Sequence, residues 1–322
     1  MAKKDRLYLG IDLGGTNIQA GLLGSDHKLL ATDRLKTKPE GGEDAVVKRI
    51  SKVVDTVLEK AGVKIGDVAG LGIGAPGAVN YKKGIVINAV NLRWTDFPLG
   101  KQLEKELGIP IAVDNDVNVG TWGEYVAGAG KDYDELLGIF VGTGIGGGLV
   151  LNGDLYHGHH LTAGEIGHTV IKADAGLGRR TLENLASRTN IVNQLKQLIL
   201  ANHPSLISEL TEGDLSRVRS KILAEAFKKE DELTHIVIGQ AANYIGATIA
   251  NTVTLLSLPC VVVGGGVTEA LQEDWIQLIR DVFEEYVFPP ELSKCKIVAS
   301  KLGDDAGTIG AALLAKQRLE KD

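Results

Sequence analysis

The stretch VDNDVN, residues 113–118, sets Asp114, Asn115, Asp116 and Asn118 directly after an apolar run, where a strand ends and a helix begins near Val117. The simplest use for such residues is a helix cap, in which Asp116 or Asn118 accepts a backbone N–H. A cap occupies one side chain, and four are present. Phosphoryl transfer to an alcohol would use the rest. A hydroxyl is a poor nucleophile, and a carboxylate beside it can take its proton as it attacks a γ-phosphate. That carboxylate must touch the acceptor, because beside the phosphate its charge would repel the reacting group. Its pKa need not be high, since the proton can move late. Asp116 fits this role, with Asn115 placed to orient the same acceptor.

A second polar set lies in AGEIGHTVIKADAGLGRRTLENLAS, residues 163–187. Glu165 and His168 stand three apart, and Glu183 opens an expected helix. HExxH is absent, and one histidine is a weak metal signal. His168 reads either as a hydrogen-bond partner for a polyhydroxylated ligand or as a buried structural histidine.

Three glycine turns accompany these groups: DLGGTN at 12–17, GTGIGGG at 142–148 and VVVGGGV at 261–267. GTGIGG satisfies GxGxxG but runs into LVLNGDLY, a strand pattern. The helix N-terminus that a dinucleotide fingerprint needs is therefore missing. GAGKD at 128–132 follows a helix and lacks the hydroxyl residue of a P-loop. A glycine hairpin can still hold phosphate on consecutive backbone amides, with Thr16 and Thr143 adding hydroxyls. Asp12 ends the first strand, where it either holds magnesium, directly or through water, or closes an Asx turn.

Periodicity supplies the elements that position these groups. Strands are expected at 7–13, up to Leu23, at 28–35, 68–74 and 109–113. A helix carries Val46, Val47, Ile50, Val53, Val54, Val57 and Leu58 on one face and stops at Gly62. Later helices are expected over 183–200, 215–231, 236–257, 268–286 and 306–319, with Thr268 as an N-cap. LGIDLGGTNIQAGLL at 9–23 resembles LGIFVGTGIGGGLV at 137–150. The likeness is either a coincidence of two glycine hairpins or a pair of similar lobes with a nucleotide between their turns.

Composition narrows the classes. The 322 residues are 44% hydrophobic and 24% charged, with a net charge of -6. That suffices for a core divided between two domains, and no basic stripe invites nucleic acid. Cys260 and Cys295 form no disulfide framework or metal spacing, so a reducing cytoplasm is expected. MAKKDRLYLG has no long apolar stretch, so secretion is not expected. IVIGQAANYIGATIANTVTLLSL at 236–258 contains Gln240, Asn243 and Asn251 and ends at Pro259. It reads as a core helix packing through Gly239, Gly246 and Ala247, and not as a membrane span.

Taken in order, these motifs resemble the ROK family of sugar kinases and repressors, over about residues 7–316. LGIDLGGTN, GIGAPGAV (72–79), NAVNLRW (88–94), VDNDVN, GTGIGGG, AGEIGH (163–168), LEN (182–184), VVVGGGV and LGDDAGTIGAALLA (302–315) carry the resemblance. It implies a two-lobed α/β fold of the actin, Hsp70 and hexokinase type. Residues 1–130 would form a smaller lobe completed by the helix at 306–319, and 131–305 a larger one. It implies ATP-dependent phosphorylation of a hexose, glucose to glucose 6-phosphate, with Asp116 as base. Fructose, mannose, allose, N-acetylhexosamines or a cyclitol are alternative acceptors, and a non-catalytic sugar sensor is the alternative class.

Gly77, Asn91, Asn115, Glu165, His168 and Glu183 match sugar-side residues. Asp12, Gly14, Gly15, Thr16 and Asn17 match the first phosphate segment, with Asp12 serving Mg2+ of ATP. Gly142, Thr143 and Gly144 match the second segment, and Gly264, Gly265 and Gly266 the turn near adenosine. ATP is favoured over polyphosphate because no basic channel is apparent, and a homodimer is expected. Many members bind structural zinc through a GH histidine and CxCGxxGC; DAGLGRRT here has Asp174, Gly176 and Thr181 at the cysteine positions. No structural zinc is expected, and packing and backbone bonds must order residues 169–183. Repressors of the family carry an N-terminal helix-turn-helix, for which a phosphate motif at residue 9 leaves no room.

Overall fold

The computed structural model describes residues 6–320, so the first five residues of MAKKDRLYLG, with the reading placed on them, lie outside the described residues. Strands β1 (Leu7–Leu13), β2 (Asn17–Leu23) and β3 (Leu29–Lys36) lead into helix α1 (Glu43–Ala61). Then come β4 (Val68–Ala75), β5 (Ala78–Asn80), β6 (Ile85–Ala89), β7 (Trp94–Phe97), α2 (Leu99–Leu107), β8 (Ile111–Asn115) and α3 (Asp116–Val126). β9 (Leu136–Val141), β10 (Ile145–Leu151) and β11 (Asp154–Leu155) precede α4 (Leu182–Ala186), α5 (Arg188–Leu200), α6 (Leu206–Leu210), α7 (Ser220–Lys228) and α8 (Glu232–Leu256). β12 (Cys260–Gly264), α9 (Gly266–Leu271), α10 (Glu273–Tyr286), β13 (Lys296–Ala299) and α11 (Ala306–Glu320) complete the chain.

The two five-stranded sheets share one plan, β3-β2-β1-β4-β8 and β11-β10-β9-β12-β13. In the first, β1, β2 and β3 pair antiparallel while β4 and β8 join parallel. In the second, β10 and β11 pair antiparallel while β12 lies parallel to both β9 and β13. The likeness between residues 9–23 and 137–150 thus has a structural counterpart. β4, interior to its sheet, is buried at seven of eight positions, as both faces of a parallel strand must be covered. Edge strand β3 alternates between half-buried and exposed, and the seven apolar residues of α1 form the buried stripe that covers it.

The chain divides into two compact units. The first comprises the described residues up to Asp134, Gly148–Gly164 and those from Asp304 on; the second comprises Glu135–Gly147 and Glu165–Gly303. Gly148–Gly164 thus group with the first unit although they follow residue 130. Within it, α11 lies directly on β1, β4 and α3. A Cβ at Gly10 would collide with the Thr308 carbonyl, one at Gly72 with that of Ala311, and one at Gly310 with that of Val119. Only glycine lets these backbones approach so closely.

Several expected boundaries shift. The helix expected over 183–200 is two, because Ser187 is extended and caps α5, its hydroxyl accepting from Asn190 N. The one over 268–286 breaks at Gln272, whose φ is 50°. α9 begins at Gly266, so Thr268 is no N-cap; its hydroxyl donates back to Gly264 O at 3.1 Å. Residues 215–231 hold only a 3-10 turn and α7. The sheet β5-β6-β7 lies outside the expected elements because its strands are only three to five residues long, and so does helix α2, although Leu99, Leu103 and Leu107 recur at helical spacing along it. In α8, Gly246 packs on α10, where a Cβ would lie 2.7 Å from Ile279 O, whereas Gly239 faces open space. Among the described residues, no helix is long and apolar enough to cross a membrane.

Candidate active site

At the β8–α3 junction each polar residue has a distinct task. Asn115 is the N-cap, its Oδ1 accepting from Val117 N at 2.8 Å and Asn118 N at 3.1 Å. The cap therefore belongs neither to Asp116 nor to Asn118. Asn115 Nδ2 donates to Gly77 O at 3.0 Å, which leaves its second N–H for an acceptor. Asn118 Nδ2 donates to Asp114 Oδ1 at 3.0 Å. Asp116 occupies the first helical position, and its Oδ1 accepts from Val117 N at 2.9 Å. Gly77 has φ 85°, and a Cβ there would strike Asn88 O, so the turn facing Asn115 requires glycine.

The first glycine hairpin closes through Gly14 N donating to Asn17 O at 2.9 Å. Thr37 braces it from β3's end, its hydroxyl donating to Gly14 O at 2.6 Å and its N–H to Thr16 O at 2.9 Å. Thr16 is exposed. A Cβ at Gly15 would lie 2.9 Å from Asn91 Cβ, so the turn brings Asn91 beside it. Asp12 is half-buried and accepts no hydrogen bond among the described residues. Burial pushes its carboxyl up from 3.8 to about 6; Arg34 opposes the shift and Asp304 adds to it. An under-compensated carboxyl beside a glycine turn is a donor that suits a hard cation.

In the second unit, Gly142 N donates to Gly144 O at 2.9 Å across the tip of the second hairpin. Glu183 supports that tip, its Oε2 accepting from Ile145 N at 2.8 Å. A Cβ at Gly144 would strike that same oxygen. The other oxygen of Glu183 takes no hydrogen bond among the described residues. Thr143 is held on both sides, its Oγ1 accepting from Arg188 Nη2 at 2.9 Å and its carbonyl from Thr189 Oγ1 at 2.7 Å. Glu165 and His168 flank a 3-10 turn, with Oε2 and Nε2 3.9 Å apart and side chains 50% and 70% exposed. His168 is therefore not a buried structural histidine. Gly265 has φ 89°, and a Cβ there would lie 2.6 Å from Val141 O, which places the third turn against the end of β9.

Backbone bonds order the segment between His168 and Glu183. Val170 bridges Thr181, Leu182 N donates to Thr169 O at 3.0 Å, and Ile171 N donates to Arg180 O at 2.8 Å. Arg180 Nε closes the loop onto Ala175 O at 2.6 Å. Thr181 caps α4, and Lys172 Nζ sits 4.8 Å from the Tyr244 ring centroid. No group of three or more His, Cys, Asp or Glu capable of holding a metal occurs among the described residues.

Sequence reasoning missed a ring of contacts behind the β8–α3 junction. Asp114, 1% exposed, has His157 Nε2 2.8 Å from its Oδ2. Arg318 Nη2 meets the same oxygen, while its Nη1 donates to Val113 O at 3.1 Å. Tyr81 stacks on His157 with centroids 3.9 Å apart, and the Arg318 guanidinium lies 4.5 Å from the Tyr81 centroid. Burial disfavours the charge on Asp114, but the hydrogen bond from His157, the charges of Arg318 and His157 and the Asn118 amide outweigh it and hold the carboxyl below 3.8. Asp114 belongs to VDNDVN, but its partners are single residues 43 and 204 positions away. No spacing rule links them.

Paired α/β sheets of one topology, each opening on a glycine hairpin, define the actin-like phosphotransferase fold. The ROK family profile matches residues 8–318. A glucokinase of Halalkalibacterium halodurans is 33% identical over 98% of this chain and 96% of its own length. One of Thermotoga maritima is 32% identical over 97% and 98%. The structure of a ROK family glucokinase from Streptomyces griseus, in complex with glucose and AMPPNP, superposes with a TM-score of 0.86 at 32% identity, covering 97% of this chain and 99% of that one. The chain belongs to the ROK family and is an ATP-dependent sugar phosphotransferase.

Proposed function

We propose that the chain transfers the γ-phosphoryl group of ATP to the 6-hydroxyl of glucose, with Asp116 as general base. The observation that carries this reading is the division of labour in VDNDVN. Asn115 supplies the cap, and Asp114 and Asn118 bond each other. Asp116, at the first helical position, is the carboxylate of the cluster that neither supplies the N-cap nor joins that pair. Asp116 takes the hydroxyl proton as the sugar oxygen bonds to phosphorus and the bond to the ADP oxygen breaks. Gly77, Asn91, the remaining N–H of Asn115, Glu165, His168 and the second oxygen of Glu183 are the candidate sugar contacts by their match to the family's sugar-side residues. Backbone amides of Gly15, Thr16 and Asn17, and of Thr143 and Gly144, suit phosphate oxygens, with Gly14 and Gly142 closing the two hairpins and Gly264, Gly265 and Gly266 toward the nucleoside. Asp12 fits Mg2+, which neutralises charge on the phosphates when bound.

Glucose is supported by the glucokinases at 33% and 32% identity over nearly the whole chain and by the glucose held in the S. griseus structure. Coupled ADP release over glucose, fructose, mannose, allose and N-acetylmannosamine tests it. Glucose should give the highest kcat/KM, and Asp116→Asn should lower kcat about 100- to 10,000-fold with glucose affinity nearly unchanged. An amide variant turning over at the parental rate would remove Asp116 as the base. Glucose binding without sugar-dependent ADP release would make the chain a sensor.

A further inference from the structure

Two features of the ring behind the junction point beyond stability. It closes on itself: Asp114 to His157, His157 to Tyr81, Tyr81 to Arg318, and Arg318 back to Asp114. Its members come from four segments, the end of β8, the residues after β5, those after β11, and the end of α11. Every oxygen of Asp114 is committed, Oδ1 to Asn115 N at 2.7 Å and to Asn118 Nδ2, Oδ2 to His157 and Arg318. Asp114 therefore cannot accept a proton from substrate without losing several bonds, although it lies two residues from Asp116.

A buried ion pair is also a poor choice for stability alone, because well-packed apolar residues of similar volume commonly do as well or better. Its special property is direction. Asn118 and Asn115 N fix the first turn of α3 to the Asp114 carboxylate, and Arg318 Nη1 fixes the preceding Val113 carbonyl. Tyr81 stands four residues from Gly77, the carbonyl of which holds Asn115. The ring thus grips both sides of the turn from which Asp116 projects.

We propose that Arg318 and His157 are positioning residues for phosphoryl transfer, acting through Asp114 to set the orientation of Asp116. The proposal rests on Asp116 being the base. It assigns a function in the reaction to the last helix of the chain, far in sequence from the junction. Misplacing a reacting group by about 1 Å is enough to cost on the order of 100-fold in rate, whereas substrate contacts made by residues outside this junction are untouched.

The test is steady-state kinetics with glucose and ATP on Arg318→Leu, Arg318→Lys, His157→Ala and His157→Gln, with melting curves and Asp116→Asn alongside. Arg318→Leu and His157→Ala should lower kcat about 10-fold or more with both KM values within about threefold. Arg318→Lys and His157→Gln restore a charge or an amide donor toward Asp114 and should recover part of the loss. A lower melting temperature with kcat within twofold of the parent would reduce the ring to a structural role, as would a loss confined to KM. Should Arg318→Leu fail to fold, His157→Gln against His157→Ala carries the same readout, and equal parental kcat in both overturns the proposal. Ring variants at full kcat beside an inactive Asp116→Asn sink the positioning role and leave the base intact. A fully active Asp116→Asn sinks the base assignment itself.

Discussion

Asp12 and Asp114 sit in one row of the first sheet, Asp12 in register with Gly74 and Gly74 with Asp114 across β1, β4 and β8. Asp114 is fully buried and Asp12 half-buried, and α11 reaches both, at Gly307 beside Asp12 and at Arg318 beside Asp114. Their electrostatics are nonetheless opposite. Asp114 has four donors on its two oxygens and is held ionised; Asp12 has none among the described residues and is pushed up to about 6. Burial alone therefore does not decide what a carboxylate does. Donors from the protein make it a structural tie, and their absence makes it a site that a ligand can complete.

Substitution should separate the two most sharply. Asp114→Asn leaves Arg318 and His157 facing an amide, and breaking such a buried pair typically costs about 3–5 kcal/mol. Asp12→Asn should act in the other direction, stabilising the ligand-free protein at pH 7 by about 2–3 kcal/mol, since a shift from 3.8 to about 6 penalises the ionised form by roughly that amount. The same variant should lose ATP-dependent turnover by about 100-fold or more if Asp12 is the proposed cation ligand. Urea melts and coupled ADP assays read both. A destabilised Asp12→Asn would abolish the contrast.

A pH series sharpens it. The raised pKa of Asp12 contributes relative stability that is present below 3.8 and is lost as pH rises through about 6. Asp114 has a depressed pKa, so its contribution is present above 3.8 and is lost only as pH falls through its lower folded value. Between pH 4.5 and 7, then, only Asp12 changes its share. The stabilisation by Asp12→Asn should be about 2 kcal/mol larger at pH 7 than at pH 4.5. Equal stabilisation at both values would mean that the Asp12 carboxyl is not raised in the folded protein.

The sequence makes one side of this contrast legible. Strand ends, glycine turns and the VDNDVN cluster are local, and periods of 2 and 3.6 place β1, β2, α1 and β8 within a residue or two. The likeness of the hairpins at 9–23 and 137–150 anticipates the shared strand order. Compensation is not local. His157, Tyr81 and Arg318 carry no motif, and α11, on which Arg318 rides, is placed by glycines in β1, β4 and α11 itself. The cap at Asn115 was hidden among four equivalent capping residues, and only the backbone turn chooses between them. The breaks at Ser187 and Gln272 are likewise set by backbone dihedrals that apolar periodicity does not register.

The smallest expected effect asks whether Asp12 matters by charge or by place. A Cβ at Gly307 would lie 2.9 Å from Asp12 Cγ and 3.1 Å from its Oδ2, so Gly307→Ala must displace the carboxyl by a few tenths of an ångström without altering its charge. Alanine gains up to about 1 kcal/mol in helix propensity, which offsets strain of similar size, and the melting temperature should barely move. If the carboxyl serves as a directed cation ligand, KM for Mg-ATP should rise about threefold to tenfold, on the scale of 1 kcal/mol, with KM for glucose unchanged. An unaltered nucleotide KM would show that Asp12 works as a diffuse negative charge. The first glycine hairpin would then resemble the second more than the row Asp12–Gly74–Asp114 implies, because GTGIGGG holds its tip with Glu183 and Arg188 and has Phe140 where β1 has Asp12.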